Sequence, residues 1–311
     1  MKKRLFLMPL LLLSLFTFSA CNDNNKDNND KADNETLPEE TKENDTVIKD
    51  KNGNQLLKLD NNYYKSMGGT LNSKEEFKDN LHELLETTHT NRLTYKEVWT
   101  ALESLDEDPN NKNNVLCFYS GQSLLKTNHV GSSGQAGYWN REHLFPQSRG
   151  FKSNDAVAHN DIFHIRATDY VVNSNRGDTD FGEGSGYYEP RDEIKGDIAR
   201  ALLYMVVRYN EDDYSSYNGI TDSDDLDLEL IEGKSSTAKT ANNEYVVGNL
   251  PVLIKWNYLD PVSEEESLRN EKAYGIQHNR NPFIDYNDFV AYLYPSIAKD
   301  YTDITKIEYL M

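Results

Sequence analysis

The reading turns on GYWNREHLFPQSRGF, Gly137 to Phe151. A carboxylate and an imidazole stand side by side there, Glu142 and His143. Arg141 precedes them and Arg149 follows; Trp139, Phe145, Pro146 and Phe151 box them in. Successive residues on a regular strand point to opposite faces. Placing these two groups together therefore raises a question about the backbone as well as about the chemistry.

Two further segments downstream carry polar groups of the same kind. One is Asp161-Ile162-Phe163-His164-Ile165-Arg166, and the other is Val172-Asn173-Ser174-Asn175-Arg176-Gly177-Asp178. Phosphodiester hydrolysis needs a base that is neutral near pH 7, and histidine is one without a large shift. It needs a divalent cation against the phosphate, and Mg²⁺ is content with a carboxylate, an amide carbonyl and several waters. It also needs an arginine for the charge of the transition state. Glu142, His143, Asn173 and one of Arg149, Arg166 or Arg176 make up such a set.

The surrounding chain reads as one α+β domain, mainly helical, with a small sheet or hairpin carrying these residues. Glu75 to Thr87 has helical periodicity with Ser73 as its N-cap. Thr94 to Leu105 is a second helix, and Asp197 to Tyr209 (DIARALLYMVVRY) is the helix expected at the core. Pro251 to Trp256 and Asn287 to Leu293 also read as helical, and a helix opens at Tyr170. Strands are expected at Val115 to Ser120 and Asp161 to Ala167, with Asp106 to Asn114 as a loop. Glu211 to Glu232 holds nine acidic residues and no Lys or Arg, so it reads as a solvated acidic insertion, about 211–233.

The N-terminus has a different character. Lys2, Lys3 and Arg4 precede an almost wholly apolar run from Leu5 to Phe18, then Ser19, Ala20 and Cys21. This is the pattern of a lipoprotein-type signal over residues 1–20, with Cys21 as the lipidated residue, although Phe18 is not the usual aliphatic residue. Residues 21–60 are rich in Asn, Asp, Lys and Glu, and are read as a polar tether to a domain spanning 61–311. That places the domain on the extracellular face of a bacterial membrane, held only through the Cys21 lipid. Cys117 is then the one remaining thiol, so no internal disulfide is available.

The formal charge is -19. The first 20 residues carry +3 and the next 40 carry -5, which leaves -17 on the domain. Such a charge repels a polyanion at long range. Trp139 to Gly182 is close to neutral, however, with five Arg or Lys against six acids. Basic residues are thus gathered around the opening stretch.

Taken together, these segments resemble the endonuclease I family of secreted bacterial nucleases. Trp139-Asn140-Arg141-Glu142-His143 with Phe145-Pro146, Ser148 and Gly150-Phe151 is similar to its first motif, and DIFHIRATDYVVNSNRGDTDFG from Asp161 to its second. TYKEVW from Thr94, DEDPNN from Asp106, FYSGQS from Phe118, KGDIARALLYMVVRY from Lys195, IKWNYLDPVSEEESLRNE from Ile254 and QHNRNPFID from Gln277 follow in the family's order. The resemblance covers roughly residues 75–295.

The resemblance implies a His-Me finger, or ββα-metal, active site and a non-specific nuclease that leaves 5′-phosphate ends. His143 corresponds to the general base, and Glu142 and Asn173 to the ligands of Mg²⁺ or a similar ion such as Mn²⁺ or Ca²⁺. The family cuts DNA, and many members also cut RNA. The catalytic arginine is expected to be Arg176, three residues after Asn173 on one helix face, with Arg166 next; Arg141 and Arg149 are further candidates for substrate phosphate. No protein partner is predicted. Asp285-Tyr286-Asn287-Asp288 and the acidic insertion depart from the family pattern.

The backbone question then has an expected answer. Glu142 and His143 must reach one cation and its water, so the strand should end or bulge between residues 140 and 146, with Pro146 helping to stop the ladder. Activity should fall below about pH 6 as His143 protonates. Two other readings compete. One is a nucleic-acid-capture lipoprotein without catalysis on the same fold. The other is a zinc protein using His143, His159 and His164, which lack the compact spacing of a structural zinc site.

Overall fold

The computed structural model describes residues 45–154, 156–210, 216–217, 220–221, 226–235, 240, 244–305 and 307. All of them belong to one compact unit, Lys42–Met311. The signal, Cys21 and most of the tether lie outside the described residues.

Strand β1 (Thr46–Lys49) pairs antiparallel with β2 (Gln55–Leu59), and β3 (Gly69–Thr70) adds in parallel to the other edge of β1. The turn between β1 and β2 is fixed by Asp50, whose Oδ1 accepts from the backbone N–H of Asn52 and Asn54 at 2.8 Å. Residues 45–60 are therefore part of the folded body and not of a tether. Ile48 and Leu59 are fully buried. The many Asn, Asp and Lys of this segment mask a short apolar alternation that anchors it.

Helix α1 (Lys74–Thr88) starts at Ser73, whose Oγ accepts from Glu76 N–H. Helix α2 (Glu97–Leu105) buries Val98, Ala101, Leu102 and Leu105 on one stripe. Residues 106–114, expected as a loop, contain a hairpin instead. Strands β4 (Glu107–Asp108), β5 (Asn111–Leu116) and β6 (Ser123–Leu125) form an antiparallel sheet in that order. The Asp108 carboxylate caps the tight turn by accepting from Asn110 N–H at 2.9 Å.

The segment that carries the candidate site is a ribbon followed by a helix. Strand β7 (Trp139–His143) leads through α3 (Val157–Asn160) into β8 (Ile165–Asp169), its antiparallel partner, and the chain passes directly into α4 (Tyr170–Arg176). Strand β8 begins later than expected because Asp161 makes a buried turn. Its Oδ1 accepts from Phe163 N–H, and its Oδ2 from the hydroxyls of Tyr204 and Tyr209. Arg269 locks the start of β8 in place. Its guanidinium donates to Asp106 and to the carbonyls of Ile162 and Ile165, at 2.8 to 3.0 Å.

Helix α5 (Lys195–Arg208) is the centre of the core, and every residue from Ile198 to Arg208 is buried. A helix buried on nearly all sides belongs inside a protein, and its buried Arg200 is answered by Glu266 at 2.6 Å. Each Leu, Val or Met buried there contributes about 1.5–3 kcal/mol. Strands β9 (Ser216–Tyr217) and β10 (Ile220–Thr221) form a short antiparallel pair, and β11 (Leu228–Ile231) runs parallel to β12 (Tyr245–Gly248). Strand β11 packs on α5 and buries Leu228 and Leu230. The end of the acidic stretch is thus structural, while residues 211–215, 218–219 and 222–225 lie outside the described residues.

Helices α6 (Leu250–Leu259), α7 (Glu264–Gln277), α8 (Pro282–Asp285), α9 (Phe289–Leu293) and α10 (Pro295–Ala298) complete the body. The fold is α+β. No helix among the described residues is long and apolar enough to cross a membrane.

Candidate active site

The ladder of β7 is regular from Trp139 to His143, with Glu142 opposite Arg166 and His143 opposite Ile165. It then ends, and no bulge is needed. Glu142 and His143 take partners on opposite faces of the ribbon, as the pleat requires. Both nevertheless line one small groove of about 230 Å³ at the end of the strand, together with Tyr95, Asn140, Asn173 and Asp178.

His143 is buried, and its Nε2 lies 2.9 Å from the carbonyl of His159. A carbonyl only accepts, so the proton of the neutral ring sits on Nε2 and the Nδ1 lone pair is left open. Among the described residues nothing donates to that Nδ1. Burial lowers the pKa of this ring well below the ordinary 6.5, and His164 and His159 beside it act in the same direction. The imidazole is therefore held neutral, with its basic nitrogen defined by a backbone contact.

Glu142 is equally buried. Its Oε1 accepts from the Tyr119 hydroxyl at 2.5 Å and from Arg176 Nη1 at 3.0 Å. Burial pushes the carboxyl up, and Arg176 and Tyr119 pull it back. Its Oε2 makes no hydrogen bond among the described residues. Across the groove, Asn173 on α4 donates from Nδ2 to Asn140 Oδ1 at 3.0 Å. That fixes the amide, so its Oδ1 is the atom left over. One carboxylate oxygen and one amide oxygen are thus available in one groove, with the exposed Asp178 carboxylate at its rim. This donor set suits a hard cation that keeps several waters.

The arginines fall into distinct places. Arg176 lines the groove but is buried, and its donors are committed. Besides Glu142, it holds the carbonyls of His143 and Leu144 and, through Nε, that of Thr179, at 3.0 to 3.1 Å. It is a clamp on the strand end, with its guanidinium turned to protein acceptors. Arg166 is not brought to the groove at all. Its guanidinium lies over the Phe118 ring, with Asp106 and Asp197 each 3.9 Å away, and it lines a separate cavity.

Arg149 donates to Val246 O at 2.9 Å and lies 3.8 Å from Asp180, in the next cleft. Among the described residues, only Arg141 presents a guanidinium to the groove without binding a carboxylate. It is sandwiched between the rings of Tyr95 and Trp99, with Nη1 donating to Tyr95 O, and burial lowers its pKa to about 10.

Two neighbours of these residues, Tyr119 and Tyr95, lie outside the segments that read as functional in the sequence. They belong to FYSGQS and TYKEVW, segments that carry the family likeness without a polar cluster of their own. Asn140 orients Asn173 from within the opening motif. His143, His159 and His164 do gather, with ring centroids 4.6 and 5.4 Å from His143. Yet His159 and His164 bond backbone carbonyls, and no group of three or more His, Cys, Asp or Glu among the described residues could hold a metal. The zinc reading has no support in this geometry.

Comparison with known proteins identifies relatives of the chain. The family model described as Endonuclease I matches residues 73–187 and 184–288. Over 242 residues the chain is 42% identical to an extracellular ribonuclease of Bacillus amyloliquefaciens, covering 73% of this chain and 76% of that protein. Over 248 residues it is 40% identical to an extracellular ribonuclease of Bacillus subtilis (strain 168), covering 75% and 78%.

Proposed function

The chain belongs to the endonuclease I family, and from that premise we propose that it is a metal-dependent endonuclease that hydrolyses RNA and DNA with little regard for sequence. The observation that carries this reading is the pairing of an open His143 Nδ1 with two open oxygens, Glu142 Oε2 and Asn173 Oδ1, in one groove. RNA is what the names of the two relatives specify. DNA is included because an attack by water does not require the ribose 2′-hydroxyl, and contacts to backbone phosphate carry no base information.

In this reading His143 takes a proton from a water molecule through Nδ1, while Nε2–H stays on His159 O. The oxygen of that water bonds to phosphorus as the P–O3′ bond breaks, O3′ takes a proton from solvent water, His143 gives its proton back to solvent, and the products are a 5′-phosphate and a 3′-hydroxyl. Glu142 and Asn173 would hold a divalent ion, Mg²⁺ or a similar one. When bound, such an ion supplies positive charge to the phosphate and the leaving oxygen. Arg176 and Tyr119 keep the Glu142 carboxylate in place, and Asn140 keeps Asn173 turned. Arg141, stiffened between two rings, faces the phosphate.

We place the enzyme outside the cell, tethered through a lipid on Cys21, in keeping with the extracellular relatives. The test of the function is degradation of single- and double-stranded RNA and DNA with Mg²⁺, with EDTA, and with Mg²⁺ restored. Cleavage that needs the ion and leaves 5′-phosphate ends supports the proposal. Cleavage that persists in EDTA overturns it.

A further inference from the structure

Beside the groove opens a second cleft of about 540 Å³, and Asp178 lines both. The strap that separates them is fixed from the active-site side, because Thr179 O accepts from Arg176 Nε at 3.0 Å. The far wall is fixed too. Asp180 is buried and accepts from Ser235 N–H at 2.6 Å and from Ser235 Oγ at 2.7 Å, with Arg149 3.8 Å away.

This anchoring sets Lys234 at the edge of the cleft. A Cβ on Gly186 would stand 3.1 Å from Lys234 Nζ, so the ammonium lies against that backbone. Lys234 is exposed and has no hydrogen bond or ion pair among the described residues. Next to Gly186 is Tyr187, whose ring lies on Gly182 so closely that a Cβ there would come within 2.7 Å. Tyr187 is half-buried, and among the described residues no side chain engages its ring or its hydroxyl.

Among the described residues, four charged groups face this cleft. Arg149 and Ser235 answer Asp180, which leaves Lys234 and the rim carboxylate Asp178. An unanswered ammonium calls for an anion, and an unengaged ring beside it calls for a flat partner. A nucleotide offers both. We propose that this cleft is a nucleotide subsite, in which Lys234 binds the phosphate next to the scissile one and Tyr187 stacks on the attached base. A base must be unpaired to stack there, so the subsite favours single strands. Stacking on an aromatic ring tolerates any base. The inference rests on the nuclease reading, since it takes the groove as the place of the scissile phosphate.

The test uses the whole enzyme, Lys234→Gln, Tyr187→Ala and Tyr187→Phe. Each is assayed on a single-stranded oligonucleotide and on a dinucleoside monophosphate, which has no second phosphate. Lys234→Gln should raise KM for the oligonucleotide about tenfold and reduce its kcat/KM advantage over the dinucleoside by the same factor. It should also flatten the dependence of log Kd on log salt by about 0.7, the signature of one lost phosphate contact on a single strand. Tyr187→Ala should raise KM similarly without changing the salt slope, and Tyr187→Phe should restore it.

Unchanged KM and salt slope in Lys234→Gln and Tyr187→Ala would overturn the subsite. So would equal losses on both substrates. Binding of a fluorescent oligonucleotide in EDTA keeps the two readings separate. If the wild type cleaves nothing, the nuclease reading falls. Kd values in EDTA that are the same for all variants would then overturn the subsite on their own.

Discussion

Arg176 donates to Glu142 Oε1 at 3.0 Å, and the same guanidinium holds the carbonyls of His143 and Leu144. The helix that supplies Asn173 is thereby bolted to the strand that supplies Glu142 and His143. Arg176→Ala should leave a buried carboxylate without its cation and lower stability by about 3–5 kcal/mol. Arg176→Lys should recover the charge but not the fork, and so only part of the stability. Urea unfolding of both variants checks this. A loss under 1 kcal/mol in Arg176→Ala, of the order seen for exposed pairs, would show that the clamp is not structural.

Tyr119→Phe removes one hydrogen bond to Glu142 and leaves the ring in place. The carboxylate then gains freedom, and the ion should be held less well. We expect the Mg²⁺ concentration for half-maximal rate to rise by about tenfold, as for an outer-shell partner of a metal ligand. Asn140→Ala should act likewise through Asn173. A metal titration of the rate decides it; an unchanged midpoint would mean that neither residue orients a ligand.

The acid limit of the activity should lie lower than an ordinary histidine would set it. Burial and the neighbouring imidazoles hold the His143 pKa well below 6.5. His143 then remains a neutral base as pH falls through 6.5, and the rate is lost only in more acidic solution. This revises the expectation, made from the sequence, of a decline below about pH 6. A limb of log kcat/KM centred at or above 6.5 would contradict the burial of the base.

Stability should also fall in acid, for a different reason. His89 and His164 are buried and neutral, and burial lowers both to about 3 from 6.5. In the unfolded chain they bind protons below 6.5, whereas in the folded protein they do not until about 3. Their contribution is thus complete above 6.5 and is lost as pH falls from there towards 3. Each should cost about 1.4 kcal/mol per pH unit inside that window. Unfolding free energies measured across it should slope accordingly, and His164→Gln should reduce the slope.

How far the sequence went can be judged residue by residue. Glu142, His143 and Asn173 were legible as a set because they lie in two segments that bound one hairpin and its helix. The arginines were not. The spacing of Asn173 and Arg176 correctly placed them on one helix face, but periodicity does not say which partner a buried guanidinium finds. Arg166 sits directly opposite Glu142 in the ladder and still turns to Phe118 and Asp197. Tyr95 reaches the groove, and Tyr119 reaches Glu142, from distant segments, so no local pattern could reveal them. Strands β1 and β2 were missed because polar composition outweighed a few alternating apolar residues.

One measurement tests the central claim most directly: single-turnover cleavage of RNA and DNA by wild type and His143→Ala in Mg²⁺, with oligonucleotide binding and melting temperature measured alongside. We expect the variant to bind and melt like wild type but to cleave at least about a hundredfold more slowly, the contribution of a general base. Cleavage by His143→Ala at close to the wild-type rate would contradict the placement of the base at Nδ1 of His143.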